Sequence, residues 1–308
     1  MVNRRGLAGN LAGAAPYAFA SFGLLLAPIW FFGFGAAVRL RDRIRAKWLQ
    51  ITMPGLLVLP YMALAGPTGN FRWSWAAGLL VLPIALAALI ANAWRDRTDA
   101  VLTARNELGW RDACVLAVVA ALHLLRLLEP AWPYPGLAAL PKLYLADIVL
   151  YVYLVVRWLN GVGYSFIPSL VALRTGFREW LYFLPFGVGL GAALKFTHFH
   201  PHLPSTGNLL AAVVVTFLLV AVPEELFFRG ILQNLLESRL GRAAALVTAS
   251  ILFGLSHYHR GGRFDWKYIL LAAVAGIFYG RAWRERHELL AAVTTHTAVD
   301  VVWSLWFR

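Results

Sequence analysis

At 308 residues the chain is long enough for two soluble domains, but 60% of it is hydrophobic and only 14% is charged. With a mean hydropathy of +0.65 and 13 Trp, it departs from the half-apolar, quarter-charged make-up of soluble domains and reads as an all-α polytopic membrane protein. The formal net charge of +13 does not point to nucleic acid. Its basic residues lie in short clusters between apolar runs, as cytoplasmic loops against anionic lipid do, so the expected partner is the lipid bilayer.

Apolar runs of spanning or near-spanning length occur at about 14–38, 51–65, 73–94, 112–128, 141–158, 180–198, 207–236, 243–258, 267–283 and 288–306. A helix needs about 20 residues to cross the hydrocarbon, so 51–65 and 243–258 are short. The expectation is eight to ten transmembrane helices, with no alternating barrel strands. Arg4 and Arg5 precede the first run, which is long enough to span rather than serve as a cleaved signal. Gly66–Asn70 and the proline-rich Glu129–Pro141 read as turns, and Gly241 stands where a glycine ends a helix. The lone Cys114 excludes an intramolecular disulfide framework and a multi-cysteine metal site.

Basic clusters at 39–47, 95–111, 157–178, 239–242 and 281–286 are all odd-numbered loops if ten spans are counted. They hold about 17 Lys and Arg, against about 10 in the N-terminus, the even-numbered loops and the C-terminus. These loops are therefore expected to face the cytoplasm, in a multi-pass protein of a bacterial inner membrane. A tag in loop 95–111 should react with an impermeant reagent only from the cytoplasmic side; labelling only from outside would reverse the orientation. There is no internal repeat. Residues 1–174 form apolar helices of no evident chemistry, while 175–308 carry seven of the eight histidines and the paired glutamates.

The stretch Val222–Arg242 places Glu224 and Glu225 deep in an apolar run. Acids at membrane depth cost several kcal/mol and mark function or an obligatory pairing. Arg229 lies one helical turn after Glu225, so those two can pair, while Glu224 points about 100° away. A structural ion-pair network is the bland alternative. The second motif runs from Phe253 to His257. With a helical turn near Leu240, Glu224 and His257 lie at equal depth, about 25 Å in, and can face each other across a hairpin. In the last run, His296 and Asp300 leave one helix face together, about 15 Å in. A glutamate, two histidines and a further carboxylate suit activation of water. Glu224 is the expected base, His257 shares the water, and His296 with Asp300 serves the oxyanion or the leaving amine. Alternatively Glu224, His257 and His296 could bind Zn2+, although no HExxH is present. His198, His200 and His202 read as a solvated loop, and His123, His259 and His287 as interfacial.

Glu224-Glu225-x-x-x-Arg229, Phe253-x-x-x-His257 and His296-x-x-x-Asp300 together resemble the three-motif pattern of the CAAX-protease and bacteriocin-processing (CPBP) family, over residues 175–308. The resemblance implies a CPBP-like helical core and an intramembrane endopeptidase that cuts a membrane-anchored or C-terminally tailed protein or peptide. In it Glu224 is the base, His257 its partner on the water and His296 part of the oxyanion site, with Glu225 and Arg229 in support. The CAAX enzymes carry asparagine where this chain has Asp300. No cofactor is expected, with zinc as the metalloprotease alternative. Two other readings are a non-catalytic membrane immunity or scaffold protein and a proton-coupled transporter, the latter disfavoured by the lack of paired repeats.

Overall fold

A computed structural model describes residues 4–91, 107–132, 134, 137–260 and 263–307, the side chains of 4–12, 259 and 260 excepted. Most of the basic loop expected at 95–111 and part of the Glu129–Pro141 turn lie outside the described residues. The described residues are almost wholly helical, with one two-residue antiparallel hairpin, β1 (His259–Arg260) with β2 (Arg263–Phe264). Among the described residues six helical stretches are long and apolar enough to cross a membrane: Gly13–Gly33, Lys47–Ala65, Trp73–Ala91, Ala139–Val156, Thr206–Ser256 and Leu289–Trp306. The chain packs as two compact units, one from residues 1–102 with 109–158, the other from 103–108 with 159–308.

The first unit contains α1 (Arg4–Gly33), α2 (Ala36–Arg43), α3 (Lys47–Thr52), α4 (Leu59–Ala65), α5 (Trp73–Ala91), α6 (Trp110–Leu124) and α7 (Ala139–Tyr151). Prolines inside these apolar helices free carbonyls that hydrocarbon cannot satisfy. Two tyrosines on α7 meet that need. Pro83 has no N–H for the carbonyl of Leu79, four residues earlier, and the Tyr144 hydroxyl donates to that oxygen at 2.6 Å. Pro54 stands in the same relation to Gln50, whose carbonyl accepts from the Tyr151 hydroxyl at 2.9 Å.

Charge is also buried in this unit. Asp112 accepts from the Gly109 N–H at the start of α6 and pairs with Arg157 at 2.8 Å, both side chains nearly solvent-free. Arg157 therefore does not serve the lipid surface as its basic loop suggests; its charge is spent on an internal acid. Asp147 lies midway along the Ala139–Val156 span and is buried too.

The second unit holds α8 (Leu170–Ala193), α9 (Thr206–Thr216), α10 (Val222–Glu225), α11 (Asn234–Ser256), α12 (Trp266–Arg286) and α13 (Leu289–Trp306). Ser205 caps α9 by accepting from the Asn208 N–H at 3.2 Å. From there the helix runs on to Ser256, broken at Gly241, whose φ of 74° and ψ of 166° are not helical. Glycine adopts that φ without the steric penalty of a Cβ, and the chain folds back there. Two π-helical turns, Phe217–Ala221 and Leu226–Gln233, flank the short α10 that carries both glutamates. Such turns often accompany functional sites because they rotate side chains out of the regular helical phase.

Small residues let these helices approach closely. A Cβ on Gly254 would lie 2.6 Å from both the Ala273 Cβ and the Ile269 carbonyl of α12, and one on Gly176 would lie 2.6 Å from the Ala291 carbonyl of α13. Because backbone is what the added atom meets, relief requires helices to move apart. Gly254→Ala should therefore destabilise the protein by about 1–3 kcal/mol, read as a lower melting temperature in detergent. Gly189→Ala is the control, since its Cβ meets nothing within 4 Å; equal melting of the two variants would refute the packing argument. Phe183, Phe228, Phe253, Phe278, Tyr279 and Val299 form an apolar cluster between α8, α11, α12 and α13, against which the polar groups are set.

Candidate active site

The two adjacent glutamates have different surroundings. Glu225 is fully buried, with its carboxylate 3.1 Å from Arg229 Nε and a second contact from Nη1 at 3.2 Å. Arg229, also fully buried, donates from Nη2 to the Gly276 carbonyl at 3.0 Å. Its guanidinium lies 4.4 Å from the Phe253 ring centroid and 5.3 Å from that of Tyr279. The i,i+4 pairing expected from sequence is present.

His296 joins this pair from α13. Its Nδ1 is 2.7 Å from Glu225 Oε1 and its Nε2 is 3.3 Å from Asp300 Oδ2. With a carboxylate on each nitrogen, the ring can donate to both only as the imidazolium. The depth count left His296 about 10 Å short of the glutamates. The contact shows how that difference is absorbed. Glu225 lies 241 − 225 = 16 residues before the Gly241 turn, and His296 lies 296 − 287 = 9 residues after the αL turn at His287. At 1.5 Å per residue the Gly241 turn therefore extends about 10 Å beyond the His287 turn.

Glu224 faces His257 as expected: Oε2 and Nε2 are 3.8 Å apart, and both side chains are partly buried. His257 Nδ1 donates to the Phe253 carbonyl at 2.8 Å, and the Ser256 hydroxyl donates to the same oxygen at 2.7 Å. In the neutral ring a proton on Nδ1 leaves Nε2 an acceptor directed to Glu224. The spacing of Phe253 and His257 is thus a side chain reaching back one turn to a carbonyl. Tyr268 meets the His257 ring edge-on at 5.1 Å.

Phe253 holds the two halves together. Its ring lies 4.6 Å from that of His257 and 5.8 Å from that of His296. All six residues expected from sequence, Glu224, Glu225, Arg229, His257, His296 and Asp300, thus fall into two contacting sets on either side of one aromatic ring. Sequence reading missed Tyr279 and Tyr268. Tyr279 was findable by the depth rule already applied to Glu224 and His257: it lies eight residues before His287 and His296 nine after.

The remaining histidines are elsewhere. His198, His200 and His202 are exposed in a loop tied to the end of α13, where the His200 N–H donates to the Trp306 carbonyl at 2.8 Å and Trp306 Nε1 donates to the His202 carbonyl at 2.8 Å. His287 stacks edge-on with Trp283, and His123 lies in the last turn of α6. The zinc set Glu224, His257 and His296 does not fit the side chains as they stand, because both His296 nitrogens are engaged by carboxylates. Among the described residues no three His, Cys, Asp or Glu side chains are gathered as metal ligands.

The fold and this constellation define a multi-pass helical membrane protein with a polar, partly buried site in its carboxy-terminal unit. Residues 206–302 match the family model described as type II CAAX prenyl endopeptidase Rce1-like, and the chain thus carries a domain of the CPBP family there. The matched segment contains all six site residues. No curated protein matches the chain, and no solved structure does.

Proposed function

We propose that the protein is an intramembrane endopeptidase in which Glu224 activates a water to cut a membrane-proximal peptide bond. The observation that carries this reading is the facing of two acceptors, Glu224 Oε2 and His257 Nε2, at 3.8 Å. With the His257 ring neutral and Glu224 ionised, neither can donate to the other. A water lying off the line between them, about 2.8 Å from each, donates one O–H to each. Glu224 takes its proton as the water oxygen attacks the scissile carbonyl carbon, whose π electrons move to the carbonyl oxygen. The glutamic acid so formed then protonates the leaving amine as the C–N bond breaks.

Arg229 and a doubly protonated His296 pair with Glu225 and Asp300. The looser His296 contact, Nε2 at 3.3 Å from Asp300, lies toward the partly exposed carboxylate, whereas the Glu225 contact is sealed. The Nε2–H is therefore the donor a developing oxyanion meets. Asp300 acts here as an acceptor that holds the imidazolium.

The substrate we propose is a membrane-anchored or C-terminally tailed protein of a bacterial inner membrane, prenylation not being required by anything in the site. Eight to ten spans are proposed for the whole chain. Thr206–Ser256, at 51 residues, folds back at Gly241 and accounts for two, and α8 and α12, with 24 and 21 residues, are long enough to cross as well. Residues 175–308 are proposed as the protease core, with 1–174 as helices of separate role. The test compares the membrane proteomes of a wild-type strain and a Glu224→Ala strain: at least one protein should keep an uncut terminus in the variant. Identical termini throughout, or proton-coupled flux without cleavage in liposomes, would refute the reading.

A further inference from the structure

We infer that Tyr279 is a positioning residue for His296, opposing rotation of the imidazole about its Cβ–Cγ bond. This inference rests on the peptidase reading for its kinetic consequence, but its structural content stands separately.

His296 is held at Nδ1 by Glu225 at 2.7 Å and at Nε2 by Asp300 at 3.3 Å. The ring is tethered at Cγ, so the freedom left to it is to rock about its Cβ–Cγ bond. Rocking lifts each N–H out of line with its acceptor, and hydrogen bonds weaken steeply as that angle closes. Tyr279 removes the freedom. Its ring lies 4.6 Å from that of His296 with only 13° between the planes, a stacked contact on the imidazole face. Phe253 closes the other direction edge-on, at 87° and 5.8 Å.

Tyr279 is itself immobilised. It is almost fully buried, meets Phe253 at 5.7 Å and 74° and lies under the Arg229 guanidinium at 5.3 Å. The glycines beside it allow this approach. A Cβ on Gly276 would lie 3.0 Å from Arg229 Nη2, and one on Gly280 would lie 2.4 Å from Leu246 Cδ1. An electron-rich ring face against an imidazolium is also a favourable cation–π pairing. The face of the ring is what the contact uses, so phenylalanine should serve and an aliphatic chain should not. Misorientation of a catalytic donor by a fraction of its contact distance reduces turnover more than binding.

The test has two arms on the full-length protein in detergent. In the first, histidine-labelled protein is studied by NMR, with the His296 ring signals assigned through a His296→Gln variant. Stacking on Tyr279 should shift those signals by ring current; Tyr279→Leu should lose the shift and Tyr279→Phe should keep it. The second arm measures kinetics on a substrate identified from the proteome comparison. Tyr279→Leu should lower kcat about 10- to 100-fold with KM changed less than about twofold, and Tyr279→Phe should recover at least half of the wild-type kcat. Unchanged His296 signals in Tyr279→Leu, or a loss in Tyr279→Phe equal to that in Tyr279→Leu, would overturn the inference. Wild-type protein without peptidase activity would overturn the peptidase reading instead, and the NMR arm would still decide the placement of Tyr279.

Discussion

Replacing Glu224 with glutamine should lower cleavage by about 10³-fold or more while the protein still accumulates, folded, in the membrane. The substitution keeps shape and hydrogen-bonding capacity but removes the basic oxygen. A glutamine opposite His257 Nε2 can donate to it directly, closing the 3.8 Å separation and displacing the water that both acceptors would hold. The measurement is turnover per folded molecule, with folding followed by monodisperse elution and melting temperature. Full activity in Glu224→Gln would end the proposed mechanism. Activity lost together with folding would assign Glu224 a structural role.

The neighbouring acid should behave in the opposite way. Glu225→Gln or Arg229→Met removes one partner from a pair whose side chains are both fully buried, and breaking a buried pair costs about 3–5 kcal/mol. That is a large part of the stability of an ordinary domain, so these variants should accumulate poorly and melt well below wild type. Arg229→Met also withdraws the donor to the Gly276 carbonyl and the cation between the Phe253 and Tyr279 rings. It should therefore be the more damaging of the two. Wild-type melting in Arg229→Met would show that the pair is dispensable to the fold. Two carboxylates adjacent in sequence would thus separate into one needed for chemistry and one needed for structure, and the contrast is a sharper test than either variant alone.

The ion pair of Arg178 with Glu285, at the end of α12, adds little to this picture, because both groups are well exposed and exposed pairs of this kind contribute little to stability.

Much was legible from the chain alone. Mean hydropathy and the apolar runs determine an all-helical membrane protein, because hydrocarbon admits only helices or closed barrels and no strand alternation is present. Three motifs on three apolar helices name the six residues that the fold gathers, and equal spacing about a turn near Leu240 puts Glu224 opposite His257. Other features were decided only in three dimensions. Arg157 reads as one more basic loop residue until Asp112 is seen against it, since a pairing between residues 45 apart leaves no local signature. Tyr144 and Tyr151 look like core aromatics until the carbonyls freed by Pro83 and Pro54 are placed beside them. The count left His296 about 10 Å short of the glutamates, because residue counts give distance from a turn, not the height of the turn itself. Periodicity and burial cost are local properties that sequence carries in full. The offset between turns, the phase changes at π-helical turns and the face on which Tyr279 meets His296 depend on how separate helices pack, and only the tertiary structure decides them.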